Sequence, residues 1–455
     1  MKHRLLVALA LCMLLCAPSA AAESVRRLLD ADRWSEALEL ARRAVDADGA
    51  SAEASGELAA ALLRAGFIDE AAAEAGRMAE ERRSALGWVV LARVRSAEGR
   101  FDEAVDAGDR ALELAPDDRT IVYWAGTVQQ GRARSRELLE RYLEMSEGDD
   151  ADRIDGAEGT LRFYQAVGDR LLWTGQARPE SFSMKLRPLF TPGIRGIEGH
   201  TIDAAMGPRG KRLRLLFDTG ATGLFVLERI AKKGAFESLS SETTFGGGGD
   251  QRHRTLRGVF PRLAFEGLEF GDALVAVSSR EIDSTGRYHG LVGIAPFAGY
   301  RITIDTGERS LRLDPGDADA EGAPYWVISG QMLVRVRVND EQDALFLFDT
   351  GADGSVISQH LIDQVEGAAA GSPARVRGFG GRIENSRRVS GIQLGFQGRK
   401  TRRGRMTSAD FSLRNRLGGV QVDGFLGRDL IGESTVVIDT VARRIRLVDG
   451  GESKE

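Results

Sequence analysis

Two short stretches of this chain carry the residues best suited to chemistry. The first runs Leu213-Arg214-Leu215-Leu216-Phe217-Asp218-Thr219-Gly220-Ala221-Thr222, and the second Ala344-Leu345-Phe346-Leu347-Phe348-Asp349-Thr350-Gly351-Ala352-Asp353. Each is an apolar run, readable as a buried strand, that stops at a carboxylate followed by a hydroxyl residue and a glycine. A lone buried carboxylate is costly unless its pKa rises until it is neutral. Two of them face to face resolve this by sharing one proton, so that one serves as base while the other serves as acid. A water between Asp218 and Asp349 would lose a proton to the ionised member while the protonated member hydrogen-bonds a carbonyl oxygen, which is what amide hydrolysis needs. Which residue takes which role is not assignable from sequence, because such a pair titrates together.

What surrounds the two acids repeats as well. They are 131 positions apart (349 − 218). Upstream, Thr201 to Met206 followed by Gly207-Pro208 parallels Leu333 to Val338 followed by Asn339-Asp340, so a hairpin leads into each acidic loop. Downstream, Phe245-Gly246-Gly247-Gly248-Gly249 corresponds to Gly378-Phe379-Gly380-Gly381. Later, Gly290-Leu291-Val292-Gly293 matches Gly424-Phe425-Leu426-Gly427, at a spacing of 134 (427 − 293). Shared features in one order at one spacing describe a duplicated unit.

At these residues the chain resembles the aspartic proteases, and within them the retropepsin-like type more than the pepsin type. The resemblance rests on Asp-Thr-Gly-Ala in each half with an apolar-apolar-Gly segment after it, and covers roughly residues 190 to 450. It implies an all-β bilobal protease of two retropepsin-like lobes, with Asp218 and Asp349 catalytic. Thr219 and Thr350 would hydrogen-bond across to the opposite loop, and Gly220 and Gly351 would allow the tight turn that brings backbone N–H groups to the carboxylates. Ala221 and Ala352 stand where pepsin-type enzymes carry a hydroxyl, so a pH optimum less acid than pepsin's is expected, roughly 4 to 6. The glycine-rich segments fit two substrate-covering flaps, with Phe245, Gly246, Gly247, Phe379 and Gly380 as flap and substrate-binding residues. Asp353 and Arg428 are expected to form a structural ion pair; the first half has Thr222 and Ile294 at the matching places, so the pair is present or absent together.

A third triplet, Asp305-Thr306-Gly307, is an internal control. It aligns with Asp439-Thr440-Val441, and each is followed by a polar turn and a short strand, so both read as hairpin turns.

The beginning of the chain reads differently. Lys2 and Arg4, the apolar run Leu5 to Leu15 and the small residues Ala20 to Ala22 describe a signal peptide over 1–22. Export to the periplasm or the exterior is expected. Lipid attachment at Cys16 is the weaker alternative, because Leu15 is large where such a site takes a small residue. Both cysteines, Cys12 and Cys16, fall in this segment, which leaves no thiol for a disulfide, a metal or a nucleophile in the processed chain. No segment reaches the ~18 uninterrupted apolar residues of a membrane span.

From Glu23 to about Arg178, Ala, Leu, Glu and Arg fall at helical spacing. Ala65-Gly66-Phe67-Ile68-Asp69-Glu70-Ala71 matches Glu98-Gly99-Arg100-Phe101-Asp102-Glu103-Ala104 with a shift of 33 (104 − 71), and Arg33 to Ala37 is an earlier copy. This resembles the tetratricopeptide repeat, with Trp88, Leu91, Ala92, Gly99, Ala104, Ala111 and Pro116 fitting its pattern. The resemblance implies an α-helical solenoid whose concave face docks a protein partner or substrate, or which serves as a spacer. The expected organisation is a signal peptide over 1–22, a helical repeat domain over 23–178, a linker over 179–192 marked by Pro179, Pro188 and Pro192, protease lobes over 193–320 and 321–450, and a tail over 451–455.

Other function classes find little support. The formal net charge of −5 argues against a dedicated nucleic-acid binder, and the basic run Arg399 to Arg405 reads as a solvated loop. His200, His253, His289 and His360 lack metal-ligand spacing, and Gly207 to Arg212 has the wrong spacing for a phosphate loop. No metal or cofactor is expected. The leading expectation is an exported aspartic endopeptidase acting on polypeptides, monomeric because one chain supplies both acids. The alternative is a catalytically silent protein that holds peptides in the same cleft, against which both intact triplets weigh.

Overall fold

The computed structural model describes residues 20–48, 51–80, 84–129, 131–175, 181–190, 199–245, 252–278, 287–378, 381–383, 385–401, 406–432 and 434–449. Residues 1–19 of the signal-like segment with Cys16, the flap-tip residues Gly246, Gly247, Phe379 and Gly380, and the 451–455 tail lie outside them. No helix among the described residues is long and apolar enough to cross a membrane.

The first part of the chain is helical: α1 Ala20–Asp30, α2 Trp34–Asp48, α3 Ala52–Arg64, α4 Ile68–Glu80, α5 Ala85–Ala97, α6 Phe101–Leu114, α7 Arg119–Val128, α8 Arg132–Glu144 and α9 Ala151–Val167. Side-chain oxygens start several of them. Ser51 accepts from Ala54 N at 3.2 Å ahead of α3, and Asp118 and Asp150 accept from the first amides of α7 and α9. Small residues let the helices approach closely: Ala59, Ala71, Ala92, Ala104 and Ala125 are fully buried. Gly66 and Gly99 close the α3–α4 and α5–α6 turns with φ of 87° and 82°, a region that favours glycine.

The chain divides into two compact units. One takes residues up to Ser96 together with Phe101–Gly131; the other takes Ala97–Arg100 and Arg132–Glu455. The last two helices, α8 and α9, thus group with the β-rich region. So does most of the stretch read from its prolines as a linker: Phe182–Lys185 pairs with strand Ser310–Pro315, and Arg187–Leu189 pairs with strand Gly199–Met206. Pro188 is tolerated because Arg187–Leu189 is an edge strand with one neighbour among the described residues.

Among the described residues the β-rich region contains a nine-stranded and a fifteen-stranded sheet. Strands of both sheets contribute to a shared core that includes Ile202, Leu213, Phe217, Val334, Phe346 and Phe348, and in strands such as Tyr300–Asp305 apolar and polar residues alternate so that one face is buried. In the first sheet, Gly199–Met206 and Lys211–Phe217 form an antiparallel hairpin, and Gly290–Val292 runs parallel to the end of the latter, with Val292 opposite Phe217. In the second sheet, Gln331–Val338 and Gln342–Phe348 form the corresponding hairpin, with Gly424–Leu426 parallel and Leu426 opposite Phe348.

The control triplets are turn residues. Asp305 ends strand Tyr300–Asp305 and accepts from Glu308 N at 2.8 Å. Asp439 accepts from Val441 N and Ala442 N, and the two strands that carry these acids pair with each other.

Helix α9 packs on the hairpin of Glu237–Phe245 and Arg252–Phe265. Arg257 lies 4.0 Å from the Phe163 ring centre and 3.1 Å from Glu242. At the other end of α9, Asp150 and Asp152 both receive Arg416, the latter at 2.9 Å.

Candidate active site

Each acidic loop leaves its strand at a fixed point, because a parallel neighbour holds the first backbone group of the turn. Asp218 N donates to Val292 O at 2.9 Å, and Asp349 N donates to Leu426 O at 3.0 Å. The glycine that opens each apolar-apolar-Gly segment has a steric reason. A Cβ on Gly290 would lie 1.9 Å from Phe225 O, and one on Gly424 2.1 Å from Val356 O. These close crossings let the neighbouring strands grip the loops from below.

The two loops then lock onto each other. Thr350 N donates to Thr219 Oγ1 at 3.0 Å, and that hydroxyl donates to Phe348 O at 2.8 Å. The reciprocal bonds run from Thr219 N to Thr350 Oγ1 at 3.2 Å and from Thr350 Oγ1 to Phe217 O at 3.4 Å. Thr219 is 1 % exposed, so these bonds are shielded from water.

Inside this lock the carboxyls meet. A Cβ on Gly351 would fall 2.6 Å from Asp218 Cγ, and one on Gly220 would fall 2.8 Å from Asp349 Cγ. Asp218 Oδ1 accepts from Gly220 N at 2.8 Å; Asp349 Oδ1 accepts from Gly351 N at 2.8 Å and Ala352 N at 2.9 Å. Both acids are half-buried. Burial pushes the Asp218 carboxyl well above the usual carboxylate range, and the charge of Asp349 and a hydrogen bond with it act in the same direction. Burial also raises Asp349, opposed by the hydrogen bond with Asp218, by the amides of Ala352 and Gly351, and by Arg428. Such a pair holds one proton between two carboxyls, leaving one acid and one base side by side.

The remaining expected residues fall as follows. Arg428 Nη2 donates to Asp353 Oδ1 at 2.7 Å, beside the second loop. Thr222, at the matching place in the first loop, packs against Gly330, on which a Cβ would lie 3.2 Å from the threonine Cβ. Phe245 ends the strand Glu237–Phe245, while Val376–Gly378 and Gly381–Ile383 form a two-stranded hairpin with Gly378 opposite Gly381. Among the described residues no cluster of metal-ligating side chains occurs.

Two features of the site escape the sequence reading. The first is a repeated side-chain-to-backbone contact just before each apolar-apolar-Gly segment. His289 Nδ1 accepts from Arg214 N at 3.0 Å, and Asp423 Oδ2 accepts from Leu345 N at 3.3 Å, each bracing the strand that carries a candidate catalytic acid. Burial pushes Asp423 up to about 6. The spacing of 134 between these positions (423 − 289) was the available signal, hidden because the residue types differ. The second is Gln331, whose Nε2 donates to Gly220 O at 3.3 Å and whose Oε1 accepts from Arg414.

A search of the curated proteins finds no match. Residues 334–430 match the family model described as aspartyl protease, a stretch that contains Asp349-Thr350-Gly351, the hairpin leading into it and the Gly427-Arg428 turn, and that points to a peptidase acting on polypeptides.

Proposed function

We propose that this chain is an exported, two-lobed aspartic endopeptidase in which Asp218 and Asp349 activate one water between them. The reading is carried by one observation: the two carboxyls abut inside a reciprocal Thr219–Thr350 clasp that fixes both acidic loops. In the resting site the two carboxyls share one proton and titrate as a unit, each being raised first by its burial. The ionised member of the pair takes a proton from the water, and the protonated member hydrogen-bonds the scissile carbonyl and supports the charge that develops there. The proton then reaches the leaving amine from the pair, restoring its single-proton state.

The two hairpins ending near Phe245 and Gly378 serve as flaps that exclude water from the reacting bond. The N-terminal helices, with turn glycines 33 positions apart (99 − 66), serve as tetratricopeptide-like repeats that dock the substrate or a partner. Export rests on the signal-like start of the sequence.

The test is cleavage of a denatured protein by wild type, Asp218→Asn and Asp349→Asn. Each substitution removes a group that handles a proton, and a loss of about a thousandfold or more is expected. Equal activity in all three proteins removes the acid pair from the mechanism.

A further inference from the structure

Arg414 sits half-buried on the helix Ser412–Gly418, and among the described residues it has no carboxylate partner. Its Nε and Nη2 both donate to one neutral acceptor, Gln331 Oε1, the former at 2.9 Å. Burial lowers its pKa to about 10, which leaves it charged throughout the acid and neutral range. Two other arginines of this region have carboxylate partners: Arg416 pairs with Asp150 and Asp152, and Arg428 pairs with Asp353. A guanidinium taken out of water against a neutral acceptor is costly unless an anion joins it.

Its place in the fold suggests where that anion comes from. The helix lies in the connection between Met406–Ala409, which pairs with the strand leaving the second acidic loop, and Gly424–Leu426, which underlies Asp349. Gln331 passes the contact on to Gly220 O, and a Cβ on Gly220 would lie 2.9 Å from Asp349 Oδ2. Arg414 is therefore two hydrogen bonds from a residue that touches the acid pair. The helix is also firmly seated: buried Asn415 donates to Gln421 Oε1 and Val422 O and accepts from Val422 N. A charge held on a rigid element beside a reaction centre is pre-organised for recognition.

We propose that Arg414 is a specificity-determining residue that binds a carboxylate of the polypeptide substrate close to the scissile bond. The proposal rests on the aspartic-protease reading above. The carboxylate has two sources, an Asp or Glu side chain near the cleaved bond or the free C-terminus of the substrate, and a guanidinium receives either through paired N–H donors.

The test is a peptide-library cleavage profile of the full chain and of Arg414→Gln and Arg414→Glu, at about pH 5.5 where peptide carboxylates are ionised. Each library is made with free and with amidated C-termini. For the wild type, kcat/KM is expected to favour the carboxylate over its amide about tenfold or more, mainly through KM. A preference for Asp or Glu that survives amidation identifies a side-chain ligand, and one abolished by amidation identifies the C-terminus. The ratio falls to near one in Arg414→Gln and turns toward Lys and Arg in Arg414→Glu. Wild-type cleavage with no preference for either carboxylate overturns the proposal. So does an Arg414→Gln chain that slows carboxylate and amide peptides by the same factor, which would make Arg414 a brace for Gln331. A wild type that cleaves nothing overturns the protease reading and this proposal with it.

Discussion

Gly351 and Asp218 stand so close that no side chain fits between them: a Cβ on the glycine would lie 2.6 Å from the Asp218 Cγ, well inside contact distance. The loop of one acid is therefore the wall of the other. Gly351→Ala must push Asp218 aside or open the turn, and misplacing a reacting group by about 1 Å costs on the order of a hundredfold in rate. The expected outcome is that loss in kcat/KM with circular dichroism close to wild type. Activity within about twofold of wild type would mean that the carboxyls need not abut.

The threonine clasp makes a stability prediction that distinguishes its two halves. Thr219 Oγ1 both accepts from Thr350 N at 3.0 Å and donates to Phe348 O at 2.8 Å, whereas the reciprocal bonds of Thr350 Oγ1 are 3.2 and 3.4 Å. Thr219→Val keeps the shape and leaves a buried amide and a buried carbonyl without partners, at a cost of about 2 to 4 kcal/mol. Thr350→Val should cost less. Urea unfolding of both variants checks the order, and a larger loss for Thr350→Val would contradict it.

Asp423 gives a pH dependence with a definite sign. Its folded pKa of about 6 lies above the ordinary carboxylate value because the group is buried. The folded state therefore holds a proton that the unfolded state releases between the two values. The stabilisation from this group is complete below the ordinary value and is lost as pH rises through about 6. Asp423→Asn keeps an oxygen for Leu345 N without a charge to bury. Relative to wild type it should gain on the order of 2 to 3 kcal/mol between about pH 4 and pH 7, read as the difference in urea midpoints. A gap that does not change with pH would contradict the assignment.

The two acidic loops were legible because the pattern that specifies them is local. An apolar strand, a carboxylate and a glycine in sequence specify a buried acid at a tight turn, and duplication told Asp218 and Asp349 apart from Asp305. What tertiary contact alone decides was not legible. Arg414 and Gln331 are 83 positions apart, and neither residue type announces its burial. His289 and Asp423 do the same work with different chemistry, so a comparison of the halves by residue type passes over them. The strands Phe182–Lys185 and Arg187–Leu189 were masked by prolines that an edge strand accepts, and the grouping of α9 with the β-rich region depends on Arg257, Glu242 and Arg416, all far along the chain.

The claim that two carboxyls share one working proton is tested most directly by the pH dependence of kcat/KM on a neutral peptide. A pair with one proton is active only between its two apparent pKa values, so the account predicts a bell with its maximum between about pH 4 and 6, and loss of the bell together with the activity in Asp218→Asn. A profile that peaks below about pH 3, or a bell that survives unchanged in Asp218→Asn, would contradict it.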